Sequence, residues 1–235
     1  MKLASSLHRI GNDIVACYLV TDETGITVID AGLPGHYRDL ERELESLNKT
    51  VSDIRGIILT HGDSDHVGFA ERLRKLHGIP VYIHAGDAER AQGRGKGTGT
   101  GGPMKLAALG FMAYALRKGG ARTTWLTDVV ELRGGETLDL PGQPRIIGLP
   151  GHSEGSIAIH MPAVGAVFVG DGLTTRHVLT GAVGPRPAPF TDEPEQAVQS
   201  LQALLATNAT WVLPGHGAPF SGGVAAAVAA VEAAA

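Results

Sequence analysis

Short apolar runs alternate with polar turns along this chain, and several of the runs end on a residue able to bind or move charge. Positions 14–20 and 27–29 predict two strands joined by the turn Asp22-Glu23-Thr24-Gly25, with glycine where a hairpin needs positive φ. Runs at 56–60, 81–84, 130–132, 137–140, 145–149, 156–160, 166–170 and 211–213 predict further strands, those from 130 onward as a second sheet. Leucines at helical spacing among charges predict a helix over 36–47, and Phe69, Leu73 and Leu76 predict another over 67–77, stopped by Gly78. Asp192-Glu193-Pro194-Glu195 opens a helix running to about residue 207, and the Ala-rich 224–235 predicts a closing one. Strand, helix, strand in this order indicates an α/β sandwich.

Two segments break the pattern. Residues 92–102 alternate glycine with Arg94, Lys96 and threonine, but no strand precedes them and no Gly-Lys-Ser/Thr follows, so a flexible loop is expected and not a phosphate cradle. Residues 104–118 are apolar nearly all round (Met104, Leu106, Leu109, Phe111, Met112, Tyr114, Leu116) and must be covered by core, a dimer partner or a greasy substrate. A hinge beside such a helix fits a lid, so 92–124 is expected to contain one, with a homodimer through the same helix as the other use of that surface.

Composition narrows the class. With 235 residues and 43% hydrophobic content, a single domain over 1–235 is expected. The net charge of −4, without a Lys/Arg cluster interleaved with aromatics, argues against nucleic acid and for a small-molecule substrate. The lone Cys17 allows no disulfide framework, and neither a signal-like start nor a run of eighteen apolar residues occurs, so a cytoplasmic protein without membrane association is expected.

The chemistry gathers at His61-Gly62-Asp63-Ser64-Asp65-His66, which sets four metal-competent side chains within six residues at the end of the strand over 56–60. A loop that merely capped the following helix would need one Ser or Asp, not two histidines as well. Imidazole and carboxylate suit zinc and other first-row divalent ions. The same strand-end placement recurs at His152, Asp171 and His216, which implies one edge of a sandwich. Asp30, after the strand over 27–29, either orients a ligating histidine from behind or holds its own loop's backbone. His84 and His160 have no second ligand beside them and read as ordinary strand residues, while Ser64 and Ser153 read as loop hydroxyls bonded to backbone.

Thr60-His61-Gly62-Asp63-Ser64-Asp65-His66-Val67-Gly68, followed by Gly151-His152-Ser153-Glu154-Gly155, Gly170-Asp171-Gly172 and Pro214-Gly215-His216-Gly217, resembles the metallo-β-lactamase superfamily in motif, order and spacing, from about residue 8 to 220. The resemblance implies a four-layer αββα sandwich with two metal ions at one edge. One ion would take His61, position 63 and His152; the other Asp65, His66 and His216; Asp171 would bridge them, and Asp30 matches that family's buried acid. Asp63 stands where the usual HxHxDH pattern has its second histidine. Two divalent ions, three carboxylates and a bridging hydroxide then sum to neutrality, which favours oxygen-loving ions; zinc is the expected metal, with iron and manganese as alternatives. The implied activity is hydrolysis of a small ester, thioester or lactone, as in the glyoxalase II-like and lactonase-like relatives, by a metal-bridging hydroxide, with Asp65 as the catalytic acid that orients it or carries its proton. The alternative is a diiron redox enzyme resembling the flavodiiron core, although that family normally has Glu at position 63 and a flavodoxin domain.

Overall fold

The computed structural model describes residues 1–95 and 97–235; Lys96 of the Gly-rich segment lies outside them. One sheet runs in sequence order through β1 (Lys2–Ala4), β2 (Leu7–Gly11), β3 (Ala16–Asp22), β4 (Gly25–Ile29), β5 (Ile54–Ile58), β6 (Val81–His84) and β7 (Val130–Leu132). It is antiparallel from β1 to β4 and parallel from β4 to β7. The second has the order β13 (Trp211–Pro214), β10 (Ala166–Gly170), β9 (Ile157–Met161) and β8 (Arg145–Gly148); β11 (Thr174–Arg176) and β12 (Val183–Arg186) pair apart from both.

The strands are apolar at consecutive positions because both faces are covered. Cys17, Leu19, Ile26, Val28, Ile57 and Leu59 pack on α1 (Tyr37–Ser46) and α2 (Ala70–His77) through Leu40, Leu44 and Leu73. Tyr18, Val20, Ile29 and Ile58 turn the other way and meet Ile159, Phe168 and Leu213 of the second sheet. Val167, Val169 and Val212, on that sheet's far face, pack on α5 (Pro194–Ser200), the 3₁₀ turn Leu201–Thr207 and α6 (Val224–Glu232). The result is the expected αββα sandwich.

Several expectations shift. β1 and β2 lie where no strand was expected, because the polar His8 and Arg9 of β2 are buried: His8 meets Glu43, and Arg9 donates to Asp13 and to the Gly217 carbonyl. β7 pairs with β6 in the first sheet and not with the second. Residues 137–140 make only a single bridge, Thr137 to Arg145, and the Pro-rich stretch begins with β12. The helix expected from residue 67 starts at Ala70, because Gly68 and Phe69 donate to the Gly32 and Ala31 carbonyls and Ala31 donates to the His66 carbonyl. Those bonds pin the ligand loop to the end of β4.

Residues 104–118 form α4 (Leu106–Arg117), after the short α3 (Ala88–Ala91). One side is covered: Ala108 packs on Val178 and Leu179, and Tyr114 on Val15 and Leu33, with Phe111 shared between the two clusters. The other side is open, with Leu106 84% and Leu116 66% exposed. No helix among the described residues is long and apolar enough to cross a membrane.

Candidate metal centre

The parallel pairs β4/β5 and β10/β13 point their carboxyl ends the same way, so the loops after them open on one rim. Asp30 follows β4, the loop 61–66 follows β5, His152 follows β8, Asp171 follows β10 and His216 follows β13. Close backbone approach makes the convergence possible. A Cβ at Gly170, where φ is +50°, would stand 2.2 Å from Thr60 Oγ1, and one at Gly215 would stand 2.4 Å from His66 Cε1.

All seven expected ligands come together. His61, His152 and Asp171 form one group of donor atoms, and Asp65, His66 and His216 a second. Asp171 lies between them, Oδ1 3.7 Å from His66 Nε2 and Oδ2 3.3 and 3.9 Å from His216 and His152 Nε2. Asp65 Oδ2 is 3.4 Å from His216 Nε2. Asp63 Oδ2 reaches the first group, 3.6 Å from His61 Nε2 and 3.4 Å from His152 Nε2. Donors that share an ion at about 2.0–2.2 Å stand roughly this far apart.

Hydrogen bonds fix every imidazole in the tautomer a metal needs. Thr60 Oγ1 donates to Asp30, so it accepts from His61 Nδ1 at 3.0 Å. Thr191 Oγ1 donates to the Ala188 carbonyl and accepts from His152 Nδ1 at 3.2 Å. His66 Nδ1 donates to Asp30 Oδ2 at 2.9 Å, and His216 Nδ1 donates to the Ile14 carbonyl. With each proton on Nδ1, all four Nε2 lone pairs face the centre. The Nε2 atoms of His61, His66 and His152 and Oδ1 of Asp171 are buried without a hydrogen-bond partner. Buried polar groups are rarely left so, and a divalent cation satisfies all four.

The electrostatics agree. Burial disfavours a charged His66, yet Asp30, Asp65 and Asp171 push it up to about 10; burial likewise opposes charge on His216, and Asp171 and Asp65 raise it to about 9. Burial would raise Asp171, but the surrounding histidines hold it well below the usual carboxylate range. The acids thus draw positive charge onto the inward-facing nitrogens, where a cation would sit.

Several residues here escaped the sequence reading. Buried Asp87 accepts from the Gly62 and Gly155 amides and from Ser153 Oγ, tying the loop after β5 to the loop after β8. It follows the end of β6, and that placement was the available signal. Arg90 and Thr191 carried none, and Asp192 was marked only as a helix-opening acid, whereas its carboxylate bonds Arg90 and the Gly99 amide. His84 bonds the Gly86 amide and the Arg133 carbonyl, and the Ser153 hydroxyl bonds the side chains of Asp87 and Ser156 where a backbone partner was expected. Over the centre lies a cavity of about 330 Å³, floored by Asp63, Asp65, His152, Asp171 and His216 and walled by apolar groups that include Phe111 and Trp125. The Phe111 ring stands 6.2 Å from that of His216.

Among known proteins, a family model described as the metallo-beta-lactamase superfamily matches residues 10–216. Uncharacterized protein YobT of Bacillus subtilis is 30% identical over 210 residues, 86% of this chain and 83% of that one. Probable metallo-hydrolase YflN of Bacillus subtilis is 23% identical over 233 residues, covering 94% and 87%. Among solved structures, metallo-beta-lactamase family protein TTHA1429 of Thermus thermophilus superposes with a TM-score of 0.72 at 21% identity, covering 99% of this chain and 80% of that one. TTHA1623, solved in a di-iron-bound form, gives 0.62 at 27% identity, covering 91% and 93%.

Proposed function

Since the chain belongs to the metallo-β-lactamase superfamily, with the metal-dependent hydrolase chemistry typical of it, we propose that it cleaves a small ester, thioester or lactone. The observation that carries this reading is the set of inward-facing Nε2 atoms, three of them buried without partners, around a shared Asp171. His61, Asp63, His152 and Asp171 would hold one ion, and Asp65, His66, His216 and Asp171 the other. Two divalent ions supply Lewis acidity that polarises a carbonyl and makes water acidic enough to attack near neutral pH. Asp30 and Thr191 keep the histidines turned inward. Asp65, in the cavity floor, would take a proton from the attacking water and return it to the leaving group. Phe111 and Trp125 exclude water and offer an apolar face to an acyl group, and the small cavity suits a compact substrate. Water would serve as the nucleophile, and Ser153 is committed to Asp87 and Ser156.

The test is turnover by purified protein loaded separately with zinc, manganese or ferrous iron, on p-nitrophenyl esters, acyl thioesters and lactones. Turnover of at least one class, abolished by chelation, is expected. Two bound ions with no hydrolysis of any class would count against the proposal. A redox reading draws support from the carboxylate at position 63 and the likeness to TTHA1623, which was solved with two irons. Native iron with a visible absorption band and oxygen consumption would favour it; zinc and ester turnover would exclude it.

A further inference from the structure

Arg90 lies beside the candidate centre with no place in the chemistry above. It is largely buried, and its guanidinium joins two acids from distant parts of the chain. Nε donates to Asp63 Oδ1 at 2.5 Å, and Nη1 donates to Asp192 Oδ2 at 2.8 Å. Asp63 is thereby divided: Oδ1 is held by the cation, and only Oδ2 faces the Nε2 atoms of His61 and His152. Asp192 is divided in the same way. Its Oδ1 accepts from the Thr98 and Gly99 amides at 2.5 and 2.8 Å, so the Gly-rich segment is anchored through it. The Asp192 amide donates to the His152 carbonyl at 3.1 Å, and neighbouring Thr191 accepts from His152 Nδ1. The glycines of that segment fit closely over the arginine: a Cβ at Gly95 would stand 2.9 Å from Arg90 Cα, and one at Gly97 2.6 Å from Arg90 Nη2.

We propose that Arg90 is a positioning residue that makes Asp63 serve as a one-oxygen metal ligand of partly offset charge and couples its placement to the seating of the Gly-rich segment over the cavity. The inference rests on the metal-centre reading above. A neutral imidazole at position 63 would donate one nitrogen and add no charge. A free carboxylate would add a negative charge and could swing both oxygens toward the ion. Paired with Arg90, Asp63 offers one oxygen and a charge that the guanidinium, shared with Asp192, offsets only in part, so the site retains some of the Lewis acidity that an unpaired carboxylate would weaken. The fork is essential. A lysine ammonium is a point charge that cannot hold the two carboxylates in fixed, diverging directions.

The test compares wild type with Arg90→Gln, Arg90→Lys and the double variant Asp63→His/Arg90→Gln, measuring zinc per chain, zinc affinity against a competing chelator, the visible spectrum with cobalt(II), and KM separately from kcat. Arg90→Gln releases Asp63 from its fixed direction, and that loss of placement is expected to outweigh the gain in negative charge, weakening the ion at His61, Asp63 and His152 on the order of 10–100-fold and altering the cobalt spectrum. Arg90→Lys should recover little of the loss, and the double variant should recover most of it. Wild-type zinc affinity and an unchanged spectrum in both single variants, with only KM raised, would make Arg90 a substrate contact and overturn the proposal. If Arg90→Gln does not fold, Arg90→Lys, which keeps the charge, decides: an unchanged cobalt spectrum rejects the proposal. Wild type holding less than about half an equivalent of metal would instead reject the metal-centre reading itself, so the two failures are separable.

Discussion

Asp30 holds a left-handed backbone conformation, φ 59°, that asparagine tolerates nearly as well. Its carboxylate accepts from the Thr60 amide and hydroxyl and from His66 Nδ1. Asp30→Asn therefore keeps the fold but sets an amide N–H where only an acceptor serves. Metal affinity is expected to fall on the order of 10–100-fold, read by chelator competition, with an unchanged circular dichroism spectrum. The sequence marked Asp30 as a strand-end acid without saying whether it faced a histidine or its own loop; His66 and Thr60 answer that. His36 illustrates the opposite case, a residue with no sequence signal beyond its type. It is buried, its Nδ1 accepts from the Leu33 amide, and its Nε2–H then donates to Tyr114 Oη at 2.7 Å. Burial, with help from Lys118, lowers it to about 4 from an ordinary 6.5. The unfolded chain therefore binds the proton more readily, and stability present above pH 6.5 is lost as pH falls toward 4, by up to about 3 kcal/mol. Denaturant melts of wild type and His36→Gln across that window should diverge in slope, with the variant losing less stability as pH falls.

At the scale of elements, α4 and the segment before it decide what reaches the centre. The His36 to Tyr114 bond fastens α4 to the loop after β4, and Ala108 and Phe111 fasten it over Val178 and Leu179. Replacing Phe111 by alanine removes a wall of the cavity while leaving the metal ligands in place. KM for substrates with an apolar acyl group should rise roughly tenfold, with kcat changed much less, as expected from about 1–2 kcal/mol of lost apolar contact. Equal losses for polar and apolar substrates would show that Phe111 does not touch the acyl group. The apolar character of 104–118 was plain in sequence, but which side would be covered was not, because near-uniform hydrophobicity carries no phase. Residues 67–69 show the converse. Their pattern reads as helix, yet the Gly68 and Phe69 amides are taken by the loop after β4, and a local pattern cannot report a bond to residues 31 and 32.

For the whole molecule, the two halves of the sandwich meet at the centre, the loop after β5 coming from one sheet and His152, Asp171 and His216 from the other. Metal bound there links both halves, so stripping it should lower thermal stability. With free ion at about 1,000 times its Kd the linkage is about 4 kcal/mol, or on the order of 10 °C for a chain of this length. Calorimetry before and after chelation, and after zinc is restored, checks this; an unchanged Tm would mean that the halves do not depend on the ion. The sequence by itself marked an α/β sandwich with ligand-competent side chains at its strand ends, because strands buried on both faces write themselves as apolar runs, and the αββα form and the set of seven side chains came from the resemblance its motifs carry. Only the tertiary structure decided the partners: Asp87 bridging two ligand loops, Arg90 joining Asp63 to Asp192, and each histidine's Nδ1 acceptor. Such partners can lie a hundred residues apart in the chain, as Arg90 and Asp192 do, and a hydrogen bond across that separation leaves no periodicity for local reading to find.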